Sequence, residues 1–491
     1  MFNRVSLTYF FLFLSVVLYS QTKPTIVRGC HKSFANQKVT ITTEDDFITE
    51  TPKVLCSVVA DTNGCFSAKL DLTEIAELKI AFGKFIGLLY AEPERDYDLL
   101  LPEFESKTIV DSLNPYFEPI GFYFKIKNPV LPELTDVIAN FDNIFNQFLN
   151  QYFLHISLNR YYNTQIDTLP AFIDSLFSDV THQYFIDYKN YSIASLYALT
   201  LIKNHHTTIK DYFSHRQILY NNPAYTDLFN ELFKDYLPYY ADTRQGKRLV
   251  ADIAKAKSYS FAMETLGNNP LLTDSTFREL VLIKSIHDAL SMEQLPVSSC
   301  FQTLDSIKIY TKSDIHKGII DNIKQKTMNL AIGTKIPQFE LVDVDGNAVK
   351  TRDLQGKYVY LNFINVKSFT ADEELKALKF LYKKYQDKLR IVTVATGAGN
   401  MPLISKIFRD NNYEWLLLDG TNDDEILDKY KVVASPTCYL ISPELRFILS
   451  PSPAPNNHFE FYFVKELRED RIRKLRQEGS QPSSTREYDL K

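Results

Sequence analysis

Over residues 22–110 the chain alternates short apolar, β-branched runs with polar turns. Thr25-Ile26-Val27 and residues 39–42 are the first two such runs, and 78–80, 86–90 and 97–101 continue them at short spacing. Residues 54–60 are expected to pair with 65–70 across the polar turn 61–64, as a hairpin. Several closely spaced strands without intervening helices predict a small β-sandwich.

From residue 130 to 328 the period changes. Leu134, Val137, Ile138, Phe141, Ile144, Phe148, Leu149 and Tyr152 step by three and four, which marks one helix face. A second helical run, 172–184, is expected to follow Pro170. Asn222-Pro223 supplies a cap and a proline at the first helical position. The helix it opens is expected over 225–236, ending before Pro238. Thr273 or Asp274 caps the helix that carries Phe277, Leu280, Val281 and Ile286. This block predicts an all-α region whose aromatic faces form core. The adjacent pair His205-His206 reads as surface histidines, since neighbours in sequence do not share a helix face.

Residues 331–466 alternate strands and helices, which predicts an α/β layer domain. A hairpin at 344–347 precedes the strand Tyr358–Phe363, a polar helix at 371–385 and the strand 389–395. Helices near 403–410 and 424–430, Trp415 to Asp419, Ser435-Pro436-Thr437 and a strand from Cys438 complete the order. This order resembles the thioredoxin fold of the TlpA/ResA and AhpC/TSA-type redoxins, and the resemblance holds over 331–466. The segment 22–110 resembles, more loosely, the carboxypeptidase-regulatory-like sandwich that precedes such domains in exported bacterial proteins. The match there is carried by DTNGCFSAKLDL and LLYAEPERDYDLLLP.

The resemblance implies a site and shows what is missing from it. In active relatives the strand matching Leu361-Asn362-Phe363 runs into Cys-x-x-Cys at a helix N-terminus. The helix dipole and free N–H groups there stabilise a thiolate. Here the aligned tetrad reads Ser368-Phe369-Thr370-Ala371, and no cysteine lies between Cys300 and Cys438. A serine hydroxyl forms neither a stable anion at neutral pH nor a disulfide. Pro436 matches the family's cis-proline, so Ser435, Pro436 and Thr437 are the candidate peptide-binding residues, with a proline kept only for the fold as the competing reading. Cys438 is the one candidate thiol in this domain, with a buried structural cysteine as the competing reading. Asp372, Glu373 and Glu374 read as helix-start charges favoured by the dipole, with Thr370 as cap.

Composition narrows the function further. The net charge of −5 gives no basic excess for nucleic acid, and 15 glycines leave little room for phosphate loops. No zinc-type Cys/His spacing and no Walker, Gly-x-Ser-x-Gly or His-Glu-x-x-His pattern occurs, so no metal and no cofactor is expected. Behind Arg4, the apolar run 5–19 falls short of the roughly 20 residues that span a bilayer, so 1–20 reads as a signal peptide. A protein of the periplasm or cell envelope is expected, without a transmembrane segment after cleavage. Export permits disulfides, but five cysteines leave the pairing of Cys30, Cys56, Cys65 and Cys300 open. In the expected hairpin register Cys56 and Cys65 stand beyond the ~7 Å limit for a bridge.

The expected architecture is therefore multidomain. A signal peptide (1–20), a β-sandwich (22–110), a central all-α domain (130–328), a C-terminal α/β thioredoxin-like domain (331–466) and a charged, disordered tail (467–491) follow in order. The expected function is a redox-inactive binding or scaffold module with a protein or peptide partner in the cell envelope. The alternative is a thiol–disulfide oxidoreductase that uses the single thiol of Cys438. A carbohydrate- or nutrient-binding accessory is a third reading, resting on the sandwich and the aromatic content.

Overall fold

The computed structural model describes residues 23–479, except 109, 112, 113, 115, 159–162, 201, 202 and 293. The signal-peptide expectation for 1–20 lies outside the described residues.

The N-terminal strands form two facing sheets. One has the order β4-β1-β7-β9, from β1 (Thr25–Cys30), β4 (Cys65–Leu70), β7 (Asp96–Leu100) and β9 (Lys125–Ile126). The other has the order β3-β2-β5-β6-β8, from β2 (Lys38–Asp46), β3 (Thr51–Val59), β5 (Ala76–Phe82), β6 (Phe85–Ala91) and β8 (Ile120–Tyr123). Inward residues alternate with outward ones. In β4, Phe66, Ala68 and Leu70 are buried while Ser67 and Lys69 are exposed. They meet Val27, Ile41, Leu78, Ile80, Leu89 and Tyr97 in one core. The short strands β8 and β9 extend the sandwich past residue 110.

The expected hairpin between 54–60 and 65–70 does not form. β3 pairs with β2, and β4 pairs with β1 in the opposite sheet. The turn 61–64 is a corner between layers because it is held by the end of β1. His31 donates its N–H to the Gly64 carbonyl at 3.1 Å, and Asn36 donates to the Ala60 carbonyl at 3.2 Å. Gly64 has φ +77°, and a Cβ there would lie 1.9 Å from the His31 carbonyl oxygen. The new pairing sets Cys65 opposite Cys30, and these two form a disulfide; Cys56, Cys300 and Cys438 are free.

Helices follow: α1 (Leu134–Leu158), α2 (Asn163–Leu176), α3 (Gln183–Leu199), α4 (His205–Tyr212), α5 (Pro223–Leu232) and α6 (Tyr236–Ala241). A single turn α7 (Leu249–Ala251) then precedes α8 (Tyr259–Gly267), α9 (Ser275–Ser291), α10 (Val297–Tyr310) and α11 (Asp314–Met328). The aromatic faces are core: Phe141, Phe185, Ile138 and Ile173 pack together with Tyr90 of the sandwich. Asn222 caps α5 as expected, its Oδ1 accepting from the Tyr225 N–H, and Asp274 accepts from the Phe277 N–H at 2.7 Å. Three boundaries differ. Pro170 lies inside α2 rather than before a helix, and the run expected over 172–184 is broken between Leu176, where α2 ends, and Gln183, where α3 begins. The helix expected over 225–236 stops at Leu232, because Asp235 turns left-handed (φ 52°) and a new helix contains Pro238 in its first turn, where a missing N–H costs no ladder bond.

The C-terminal domain is a seven-stranded sheet of order β11-β10-β14-β13-β12-β15-β16. Its strands are β10 (Glu340–Asp343), β11 (Ala348–Lys350), β12 (Tyr358–Ile364), β13 (Leu389–Ala395), β14 (Leu416–Asp419), β15 (Thr437–Ile441) and β16 (Phe447–Leu449). Every residue of central β12 is buried, as expected of a strand covered on both faces. Tyr358, Tyr360 and Ile364 face the helices α12 (Ala371–Tyr385), α13 (Met401–Asn411) and α15 (Phe459–Gly479). Val359, Leu361 and Phe363 face the other layer, with Ile426 of α14 (Asp424–Lys429), Tyr430 and Tyr439. Residues 467–479, read as tail from their charge, continue α15; 480–491 lie outside the described residues.

The chain divides into two compact units. One comprises the chain up to Glu105, Ile120–Ala251 and Ser260–Asp288; the other comprises Ser106–Pro119, Asp252–Tyr259 and the chain from Ala289 onward. Among the described residues no helix is long and apolar enough to cross a membrane.

Candidate functional site

The candidate site lies where β12 gives way to α12. The connecting loop is fastened to its neighbours by Asn365. Its N–H donates to Ser435 Oγ at 2.8 Å, its Oδ1 accepts from the Lys367 N–H, and its carbonyl accepts from the Ser368 N–H at 2.9 Å. Asn400 Nδ2 donates to the same Oδ1 at 2.9 Å from the start of α13. These bonds present Ser368 one turn before the helix.

The residues that the sequence grouped do meet. Ser368 Oγ donates to the Ser435 carbonyl at 3.3 Å. The Ser435–Pro436 peptide is cis. Thr437 Oγ1 turns back to donate to the Ala434 carbonyl at 2.6 Å. Ala371, at the second cysteine position, is buried, whereas Phe369 between them is fully exposed (103%). Val433 is also largely exposed, and a depression of about 560 Å³ beside Pro436 is lined in part by Val433, Thr437 and Pro451. Thr370 stands at the cap position but makes no capping bond; its hydroxyl lies 3.4 Å from Ser368 Oγ instead.

Cys438 is not a surface thiol. It is 3% exposed and faces the α12 side of the sheet. Burial pushes its pKa up to about 12, a hydrogen bond with Tyr360 opposes this, and the charge of Glu374 adds to it. Such a sulfur is a protonated core atom at neutral pH, with none of the thiolate character that exchange requires.

Glu374 is the residue that sequence reasoning misplaced. Asp372 is exposed and pairs with Lys376 at 2.5 Å, as helix-surface charge should. Glu374 instead is 3% exposed, and its Oε2 has no hydrogen-bond partner. Burial raises its carboxyl pKa, opposed by hydrogen bonds from Asn456. The signal was its spacing: Ala371, Glu374, Leu375, Leu378 and Leu381 are the buried face of α12. His205 and His206 are exposed at the start of α4. Among the described residues no three His, Cys, Asp or Glu side chains converge to hold a metal ion.

A central strand, a loop, a helix N-terminus and an opposing proline turn define the thioredoxin class of fold and site. Residues 332–448 match the AhpC/TSA family, and through this domain the chain belongs to that family of redoxins. The thioredoxin-like protein YneN of Bacillus subtilis is 31% identical over 123 residues, which cover 24% of this chain and 69% of the relative. The thiol-disulfide oxidoreductase ResA of Bacillus thuringiensis subsp. konkukian is 27% identical over 123 residues, 25% of this chain and 70% of the relative. Among solved structures, the thioredoxin domain of a thiol-disulfide oxidoreductase from Bacteroides vulgatus is 23% identical, covering 28% of this chain and 97% of that one, with a TM-score of 0.26.

Proposed function

We propose that the protein is exported and that its thioredoxin-fold domain has lost disulfide chemistry and binds a peptide or protein partner in the cell envelope. The observation that carries this reading is the Ser368 hydroxyl beside Ser435, in a domain whose one thiol, Cys438, is buried. Thiol exchange needs an accessible thiolate at the helix start, and a hydroxyl with Ala371 three residues on offers none. The Ser435-Pro436-Thr437 turn receives the partner's extended backbone, and exposed Phe369 and Val433 supply apolar contact to its side chains. The apolar run 5–19 and the Cys30–Cys65 disulfide support an oxidising compartment.

The test is a disulfide-reduction assay on the chain from residue 21 in a Cys30→Ser/Cys65→Ser background, beside the same chain with Cys438→Ala. No turnover in either is the expected result. Robust turnover abolished by Cys438→Ala would overturn the proposal in favour of monothiol chemistry.

A further inference from the structure

The chain does hold one cysteine pair, and it lies in the sandwich. Cys30 ends β1 and Cys65 begins β4, directly opposite in the antiparallel register. Because β4 is the outer strand of its sheet, nothing in that sheet covers the pair from the far side. Cys30 is exposed and Cys65 half-buried. Both border an open depression of about 400 Å³ whose charged lining is Arg28, Asp61, Asp98 and Lys127. The two cations balance the two carboxylates, and Lys127 pairs with Asp98 at 3.4 Å, so no net charge repels an incoming group.

Other interactions hold the same strands. Phe66, Ala68 and Leu70 anchor β4 in the core, and the β1–β4 ladder runs from Thr25↔Leu70 to Cys30↔Cys65. Asp61 Oδ1 separately accepts the Cys65 N–H at 2.9 Å, which holds the backbone where it is. A solvent-accessible disulfide whose strands are also held by other interactions belongs to the exchangeable kind.

We propose that Cys30–Cys65 is a thiol–disulfide exchange site that takes a protein dithiol as its reductant. A thiolate of the dithiol attacks the Sγ of Cys30, the more exposed residue of the pair. The Cys30–Cys65 bond breaks, its electron pair leaves on Cys65 Sγ, and that sulfur takes a proton from solvent. The second thiol of the reductant then attacks the mixed disulfide and frees Cys30, which is protonated in turn. The dithiol ends as a disulfide, two electrons having passed to this chain, and the sandwich stays folded.

The experiment uses the full chain from residue 21 in a Cys56→Ser background, with a reduced Cys-x-x-Cys thioredoxin as probe and no denaturant. Differential alkylation and peptide mass mapping follow the two sulfurs, and far-ultraviolet circular dichroism follows the fold. Opening is expected at a rate that doubles when the dithiol is doubled, with the spectrum unchanged. A Cys30→Ser/Cys65→Ser variant is expected to retain that spectrum. A rate independent of dithiol concentration, opening only in denaturant, or loss of the spectrum on reduction would each overturn the proposal. None of these outcomes depends on whether the Ser368 site is active.

Discussion

Ser368 Oγ and the carbonyl of Ser435 lie 3.3 Å apart, joining the loop before α12 to the turn before β15. The position still stands before the free N–H groups of a fifteen-residue helix. Ser368→Cys is therefore expected to give a thiol with a pKa below the ordinary value of about 8.5, the exposed Asp372 and Glu373 offsetting part of the drop. The pH dependence of its iodoacetamide alkylation reads this directly. A midpoint at or above 8.5 would mean that the helix start no longer activates a sulfur.

Phe369 separates binding from stability. A fully exposed side chain contributes no packing, so Phe369→Ala is expected to change unfolding free energy by no more than about 0.5 kcal/mol. Binding to extended apolar peptides on an array is expected to weaken about tenfold, or ~1.4 kcal/mol. Equal binding by both proteins would remove Phe369 from the partner surface.

The buried thiol of Cys438 makes stability depend on alkaline pH. Its native pKa is raised to about 12 by burial, while an unfolded cysteine ionises near 8.5. Between those values the native state binds more protons than the unfolded state, so stability falls as pH rises, by about 1.4 kcal/mol per pH unit from this group. Urea titrations at pH 8 and pH 10 are expected to show a smaller decline for Cys438→Ala than for the parent. An identical decline would place the sulfur in contact with water.

A buried polar chain offers a sharper perturbation. Trp415 Nε1 donates to Thr393 Oγ1 at 2.9 Å, and Thr393 donates to Asn362 Oδ1 at 3.0 Å. Thr393→Val keeps the shape but leaves both partners unpaired, so a loss of about 2–4 kcal/mol is expected. Trp415 is the only tryptophan, so its fluorescence reports the unfolding midpoint and the change at the indole together. A midpoint matching the parent would mean that water replaces the hydroxyl.

The C-terminal domain was legible because its strands and helices repeat at their natural periods. The helix Ala371–Tyr385 and the strand Leu389–Ala395 stand at their expected ends. The meeting of Ser368 with Ser435 was reached through family resemblance, since nothing local in a Ser-Phe-Thr-Ala run announces a site. The burial of Glu374 was written in its spacing, but its charge pointed outward. The failed hairpin has a different cause. The sequence at 61–64 carries good turn chemistry, yet turn chemistry says only that the chain reverses. Which strand it returns to was decided by contacts with His31 and Asn36, some thirty residues away in sequence.

That corner at 61–64 bears on the order of folding. The sheet β3-β2-β5-β6-β8 contains two pairs of neighbours joined directly along the chain, β2–β3 and β5–β6. The sheet β4-β1-β7-β9 contains none. Closing a long loop costs entropy before its contacts are gained, so local hairpins form first and distant pairings wait for them. The five-stranded layer is thus expected to serve as the template, with β1, β4 and β7 coming together on its apolar face afterwards and Cys30 meeting Cys65 at the end.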